Sequence, residues 1–441
     1  MTTMIKIFII PLCLVLALAS CSPTEDRIGH TEITKWQYGK TGAISITLDD
    51  ASINQFRQAL PIMDTLGLKA TFFIIMAQVQ NSVIRPQFIG RSIEDITKET
   101  ASTPTNKENF FERASALRFT GIKEATEYHN NAGSTFEDDK IDEAYKIIDQ
   151  AYEKVRKEKA YHKVSKPSSE SMISWPELKA FAANGHEFGS HTLSHPRLSV
   201  LDEKNMLYEL EKSKEEILNQ LGPAHTFSAE CPFGTENERV MSYAYKIYPA
   251  LRNRMPEPFL EELNRGSKTT PGISKKEYVQ WQRGPLTKTT MDMMKSWVDT
   301  LLVHDNIWLC LTFHGVDGIG WEAKPHQEHA EYFKYMKAHE DSLWVATFGD
   351  VTKYMRERMN AKVTVKEKGE KIVLAIDQSL DRNLYNLPLT LKTYVSGGWK
   401  EVMVRQGENS VKVNSLSDQK GSYVLYQVLP EGGEVELTTA R

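Results

Sequence analysis

Between about residues 42 and 358, short runs of apolar, β-branched and aromatic residues alternate with longer stretches whose apolar positions recur every three to four residues. The short runs predict strands at Ala43–Leu48, Ala70–Ile75, Glu187–Ser190, Thr226–Ala229, Ala250–Arg252, Trp308–Phe313 and Trp344–Phe348. The longer stretches predict helices at Gln55–Leu66, Trp175–Asn184, Glu203–Leu221, Glu236–Ala244 and Met291–Val303. Gly67 and Gly185 stand where the first two of these end, a usual place for glycine. Met291, Met294, Trp297, Val298, Leu301 and Leu302 fall on one helical face and predict a stripe turned to the core. Strands alternating with amphipathic helices imply an α/β fold with a mainly parallel sheet or barrel.

Two segments break this rhythm. Residues 78–172 are polar and helix-prone without strand signals, with Ile141–Lys159 as the clearest helix. They predict a helical insertion between the second and third strands, above or beside the strand ends, with Ala101–Lys107 its least ordered part. From Ala361 the pattern becomes short strands and turns, at Lys362–Lys366, Lys371–Asp377, Leu387–Val395, Glu401–Arg405, Ser422–Leu429 and Glu434–Leu437. Turns fall at Gly397-Gly398, Gly407 and Gly432-Gly433. A small all-β sandwich over 361–441 is expected, and it carries no cluster of His, Asp and Glu, so an accessory role follows.

The first residues follow neither pattern. Lys6 precedes the apolar run Ile7–Leu18, too short for the roughly 20 residues of a spanning helix, and small residues follow. That order is a secretory signal over residues 1–20. Its junction Leu18-Ala19-Ser20-Cys21 resembles the bacterial lipobox, which implies a lipid on Cys21 and a polar tether over 21–40. The protein is therefore expected to be lipid-anchored to a bacterial membrane, facing the periplasm or cell exterior. A formal charge of −4 with no basic tract removes a nucleic-acid footprint. Cys13, Cys21, Cys231 and Cys310 are the cysteines; the last two sit in apolar strand-like runs and are expected as separately buried thiols.

Candidate chemistry gathers where strands end. The first strand closes in Asp49-Asp50, two adjacent carboxylates at the carboxyl end of a parallel strand, where α/β folds collect ligands. The run Gly185–Pro196 places His191 and His195 four residues apart after another strand. Two imidazoles, one carboxylate and an open position make the ligand set of a catalytic zinc site. Trp308–Phe313 delivers His314 at its tip, a group whose pKa suits acid–base work. Glu230-Cys231-Pro232-Phe233-Gly234, after a further strand, offers a rigid loop with backbone N–H groups for an oxyanion. His186 precedes its strand and reads as a turn or buried residue.

These motifs, with Ala70-Thr71-Phe72-Phe73, resemble in order the polysaccharide deacetylase family, also called the NodB-homology domain or carbohydrate esterase family 4. The resemblance covers about residues 41–75 and 172–358. It implies an irregular (β/α)7-type barrel over 41–358, with the insertion at about 78–172. It also implies metal-dependent hydrolysis of N-acetyl, and sometimes O-acetyl, groups on glycans. By position it makes Asp49 the base, Asp50, His191 and His195 the ligands of a divalent metal, most often Zn²⁺, and His314 the acid. Phe233 and Gly234 take the oxyanion or substrate role. The chain departs from the family at Glu230, where many members carry an arginine that orients the base; either Arg252 supplies that cation or the site is altered. The family's Asp-Trp motif finds only the aromatic, in Val279-Gln280-Trp281. Trp175, Trp281 and Trp321 are the candidate sugar platforms. An acetylated glycan is the expected substrate. The alternatives are a metal hydrolase of another ester or cyclic amide, and a non-catalytic glycan-binding lipoprotein.

Overall fold

The computed structural model describes residues 27–162 and 172–440. The expected signal peptide, Cys13 and the lipid-bearing Cys21 lie outside the described residues. Nine strands form one sheet: β1 Gly42–Asp49, β2 Ala70–Ile74, β3 Glu187–Ser190, β4 Ser228–Ala229, β5 Ala250–Leu251, β6 Leu260–Leu263, β7 Tyr278–Arg283, β8 Ile307–Phe313 and β9 Leu343–Val345. Their order across the sheet is β5-β4-β3-β2-β1-β8-β7-β6, and β9 pairs with the first residues of β1. All of these pairings are parallel.

The sheet curls. Arg252 follows β5, four strands from β1, yet its guanidinium lies 2.6 Å from Asp49 at the tip of β1. In a flat sheet with strands about 4.8 Å apart the two would be roughly 19 Å apart. The result is a parallel half-barrel, with β5 and β6 as its two edges and helices on its convex side. The expected barrel is thus present in open form. Strands β6 and β7 were not predicted, because Leu260-Glu261-Glu262-Leu263 and Tyr278–Arg283 carry charged and amide residues along their length.

Alternation along β1 assigns the two faces. Ile44, Ile46 and Leu48 pack with Phe56, Met63, Val298, Leu301 and Phe333 from the surrounding helices. Met294 joins them, with Met291, Trp297 and Leu302 partly buried against the cluster, so the predicted stripe does face the core. Ala43 turns the other way, among Phe73, Trp308, Phe348, Val351 and Tyr354. The helix Phe348–Asn360, unpredicted because Trp344–Phe348 reads as one strand, therefore fills part of the concave side. Trp308 is fully buried there, and its ring N–H donates to Ser45 Oγ at 3.0 Å.

The insertion holds the helices Ile93–Glu99, Phe110–Leu117, Ala125–Glu137 and Ile141–Glu158 around their own core, which Val200 from the barrel joins. The segment Ala101–Lys107, expected to be least ordered, is instead pinned to the last of these helices. Asp149 accepts from the Thr105 N–H at 2.9 Å and hydroxyl at 2.6 Å, and fully buried Arg113 donates to Thr105 Oγ1 at 3.0 Å.

The C-terminal part is a sandwich of two antiparallel sheets. One orders Lys362–Glu367, Lys371–Asp377, Val435–Thr439, Glu401–Gln406 and Asn409–Asn414. The other orders Thr31–Ile33, Leu389–Tyr394, Gly421–Val428 and Leu416–Asp418. Thr31–Ile33 corrects the expectation of a free tether over 21–40. Its apolar Ile33 is partly buried on the sandwich core, and Trp36 next to it is fully buried, donating its ring N–H to Asp305 O at 2.8 Å. Cys231 and Cys310 are both buried and unpaired.

Trp308→Ala removes the largest side chain shared between β8 and the concave-face helix. It is expected to cost about 3–5 kcal/mol, read as a lower denaturation midpoint with unchanged m-value; a loss under about 1 kcal/mol would contradict this packing.

Candidate active site

The carboxyl ends of β1, β3, β4, β5 and β8 converge on one point. Asp49 is the last residue of β1 and is 3% exposed. Asp50 follows in left-handed backbone, φ 78°, as does Ala51, φ 59°, so the chain turns sharply and the two carboxylates diverge. Asp50 Oδ1 lies 3.5 Å from His191 Nε2 and 3.3 Å from His195 Nε2. One ligand atom from each of the three lies within 4.8 Å of the others. Bonds of about 2.0–2.1 Å to a tetrahedral cation put neighbouring ligand atoms about 3.3 Å apart, so this donor set fits a zinc-sized ion. His191 Nδ1 faces the Glu230 carbonyl at 2.9 Å. A carbonyl only accepts, so Nδ1 carries the proton and Nε2 keeps its lone pair turned to Asp50.

Holding His195 requires strain. Of twelve non-glycine residues with positive φ among those described, Asp50, Ala51, Thr192, His195 and Phe233 lie here. Thr192, at φ 66°, is β-branched and a marked outlier. The insertion supplies the restraint. Arg118, 8% exposed, donates to Ser194 Oγ at 2.9 Å and Ser194 O at 2.6 Å, with buried Glu209 beside it at 3.7 Å. His129 takes the Arg197 N–H at 3.2 Å, and Glu137 pairs with the Arg197 side chain at 2.5 Å. Gly133 leaves room for that side chain; a Cβ there would sit 2.5 Å from Arg197 Cδ. Arg197 then lies 4.5 Å over the Phe233 ring, whose neighbour on its other contact is His195, centroids 4.6 Å apart.

Asp49 is gripped by Arg252, with bonds of 2.6 Å and 2.7 Å to its two oxygens. The same guanidinium donates to Thr47 Oγ1 at 2.7 Å and pairs with Glu230 at 3.0 Å. Arg252 thus stands on Asp49, the expected base, and Glu230 does not displace it. His314 Nε2 is 3.6 Å from Asp49 Oδ2. Fully buried Gln55, in a π-helical turn that opens the predicted helix, donates to the Asp49 carbonyl at 2.5 Å and the His314 carbonyl at 2.7 Å, tying the ends of β1 and β8 together. Sequence reasoning missed Gln55, Arg118, Arg197, Glu209 and Gly133. Among them only Gln55, six residues after Asp49 in a helical pattern that wanted an apolar residue, carried any local signal.

In the loop after β4, the Gly234 N–H closes a turn on Cys231 O at 3.3 Å, which leaves Phe233 as the loop's candidate donor. Phe233 is 43% exposed and strained at φ 63°. Trp321 is half exposed with its ring 4.7 Å from His314. Trp281 and Trp175 correct the platform expectation, since both are buried in the helix-side core. His186 is buried and bonds Asp64 at 3.1 Å.

The charges follow from these contacts. Burial pushes the Asp49 carboxyl up, but the Arg252 charge and hydrogen bonds outweigh it and hold it below the usual range. Asp50 is likewise pushed up by burial and brought far down by bonds from both histidines. Burial lowers His314, opposed by the Asp49 charge. Burial raises Glu230 to about 8, against the pull of Arg252.

Residues 123–247 match the family model described as polysaccharide deacetylase. That span holds His191, His195 and the Phe233 loop, and it takes in two insertion helices that the motif resemblance had left outside. Over that stretch the chain is similar to the polysaccharide deacetylase family. Among curated proteins, a gellan lyase from Bacillus sp is 24% identical over 290 residues, 60% of this chain and 11% of that protein. The chain thus spans about a ninth of that relative. Among solved structures, a putative polysaccharide deacetylase from Mycobacterium smegmatis shares 12% identity, covering 74% of this chain and 94% of that one, TM-score 0.39. A family 4 carbohydrate esterase from Bacillus anthracis shares 11%, covering 73% and 86%, TM-score 0.33.

Arg252→Met leaves Asp49 and Glu230 buried without their cation. Its expected cost is about 3–5 kcal/mol of folding stability, measured by denaturant titration; an unchanged midpoint would contradict the shared pair. Arg118→Met, which touches neither His191 nor His195, is expected to weaken Zn²⁺ binding about tenfold or more in a chelator competition, with equal affinity the contrary result.

Proposed function

We propose that the protein is a metal-dependent deacetylase that hydrolyses N-acetyl groups on a polysaccharide or oligosaccharide. We further propose that it works outside the cytoplasm, lipid-anchored through Cys21. The observation that carries the reading is the meeting of the Asp50–His191–His195 cluster with an arginine-held carboxylate and a buried histidine at one strand-end site.

A divalent cation held by Asp50, His191 and His195, Zn²⁺ being the best match to two imidazoles and a carboxylate, supplies Lewis-acid polarisation and lowers the pKa of water. Asp49, kept ionised and in plane by Arg252, accepts the proton of the attacking water. The Phe233 N–H donates to the acetyl oxygen as it gains charge. His314 delivers a proton to the departing nitrogen, and the Asp49 carboxylate 3.6 Å away favours its charged form against burial. The products are acetate and a free amine on the sugar.

Asp49→Asn keeps the shape of the base and removes its basicity. Acetate release from N-acetylglucosamine oligomers is expected to fall about 10²- to 10⁴-fold while Zn²⁺ stays bound. Undiminished release by the Zn²⁺-loaded variant would refute the assigned base.

A further inference from the structure

Beside the metal-ligand cluster, on the side of the open barrel edge, lies a cleft of about 500 Å³, within the range of sugar- and drug-sized sites. Phe233 and Gly234 form its wall toward the site, and Arg254, Asn264, Arg265 and Gln282 form the other. Three successive strands at this edge deliver arginines to one end of the sheet: Arg254 after β5, Arg265 after β6 and Arg283 at the end of β7. Their environments differ. Arg254 donates to Glu236 O at 3.0 Å, and Arg283 donates to the Arg265 carbonyl at 3.4 Å while lying 4.7 Å over the Trp281 ring. Arg265 is exposed and has no carboxylate partner among the described residues; its guanidinium sits 5.9 Å over the Trp321 ring. Trp321 in turn touches His314. The guanidinium is close enough to the reacting centre for its charge to bear on His314.

The carboxyls in the cleft do not cancel this cation. Glu236 is turned into the loop, taking the Cys231 N–H at 3.3 Å and the Asn253 amide at 3.0 Å. Burial raises it to about 7, and burial raises Glu262 to about 8, so neither carries a full negative charge at neutral pH. What remains is an unpaired, planar, two-pronged donor above an exposed indole, one sugar's reach from the acid. That is the equipment for a carboxylate on a sugar ring, with the indole taking the ring's apolar face.

We propose that Arg265 and Trp321 form a subsite for an acidic sugar, a uronate next to the acetylated residue, so that the substrate is an anionic glycan. This rests on the deacetylase reading and adds its substrate class. The test compares the Zn²⁺-loaded full chain on three probes: a tetrasaccharide alternating N-acetylglucosamine and glucuronate, the same compound with its carboxyls reduced to alcohols, and an N-acetylglucosamine tetramer. The expected kcat/KM for acetate release is roughly ten- to a hundredfold higher on the carboxylate form than on its reduced twin, the value of one charge-assisted contact. In Arg265→Gln that ratio falls to about one, Arg265→Lys restores part of it, and added salt shrinks it in the parent chain. Equal rates on the two twins, or a preference that survives Arg265→Gln, overturn the proposal. Binding of the same twins to the Asp49→Asn chain by calorimetry separates the two claims. A carboxylate preference that needs Arg265, with no acetate released from any probe, upholds the subsite and sinks the deacetylase reading; acetate release with no carboxylate preference does the reverse.

Discussion

The site depends on one buried cation. Arg252 is 2% exposed and meets Asp49 through both of its terminal nitrogens, across the concave side of a sheet in which the two lie four strands apart. A pair this far from water is stable only if its geometry is good and its remaining donors are used. Thr47 and Glu230 take further bonds from its terminal nitrogens, while Nε has no partner among the described residues. Glu230 would overload the pair if fully ionised, but burial raises it to about 8, so near neutrality the account is close to one positive against one negative. The same residue's carbonyl fixes the His191 tautomer. An arginine at position 230 would have put a second guanidinium where Arg252 already acts, so the glutamate is the complement of Arg252 and not the loss of a functional group.

A second dependence runs outward, through the helical insertion. Thr192 and His195 occupy backbone regions that cost of order 1–3 kcal/mol each and persist only when their surroundings over-determine them. Arg118, His129, Glu137 and Gly133 all come from the insertion, and all bear on residues 194–197. Through Arg197 the restraint reaches the Phe233 ring and thus the loop with the candidate oxyanion donor. The insertion is therefore a buttress for the turn that carries His195, which is why its polar faces keep so many side-chain bonds to the barrel.

How much of this was readable follows from how local each signal is. β1, β2 and the helix Glu203–Leu221 were legible because an apolar run or a 3.6-residue period lies wholly within each. Asp50, His191, His195 and Asp49 were legible because strand ends are where parallel sheets collect chemistry. β6 and β7 were not, since Leu260–Leu263 is half acidic and Tyr278–Arg283 carries amides that its neighbours bury. Trp281 and Trp321 looked alike as aromatics; a position on a strand buries the first, and a position in a loop after β8 exposes the second. Arg118 and Gly133 lie within an insertion whose docking side has no period of its own, and only the tertiary contact reveals them.

The concave face of β1 shows how the fold affords such a site. Ala43 sits among Trp308 and Phe348, where only apolar packing is possible. Ser45 accepts the Trp308 ring N–H, the first polar contact. Thr47 donates to the Leu311 carbonyl and accepts from Arg252, and Asp49 takes the full charge. Polarity rises in steps of two residues, along one face of one strand, from a dry end to a reactive end. β1 can bear this because it is paired with β2, β8 and β9, so its backbone is fixed on both sides before any side chain is asked to hold a charge. An edge strand such as β5, two residues long and paired on one side, contributes a cation that responds to that charge; it could not have carried the gradient itself.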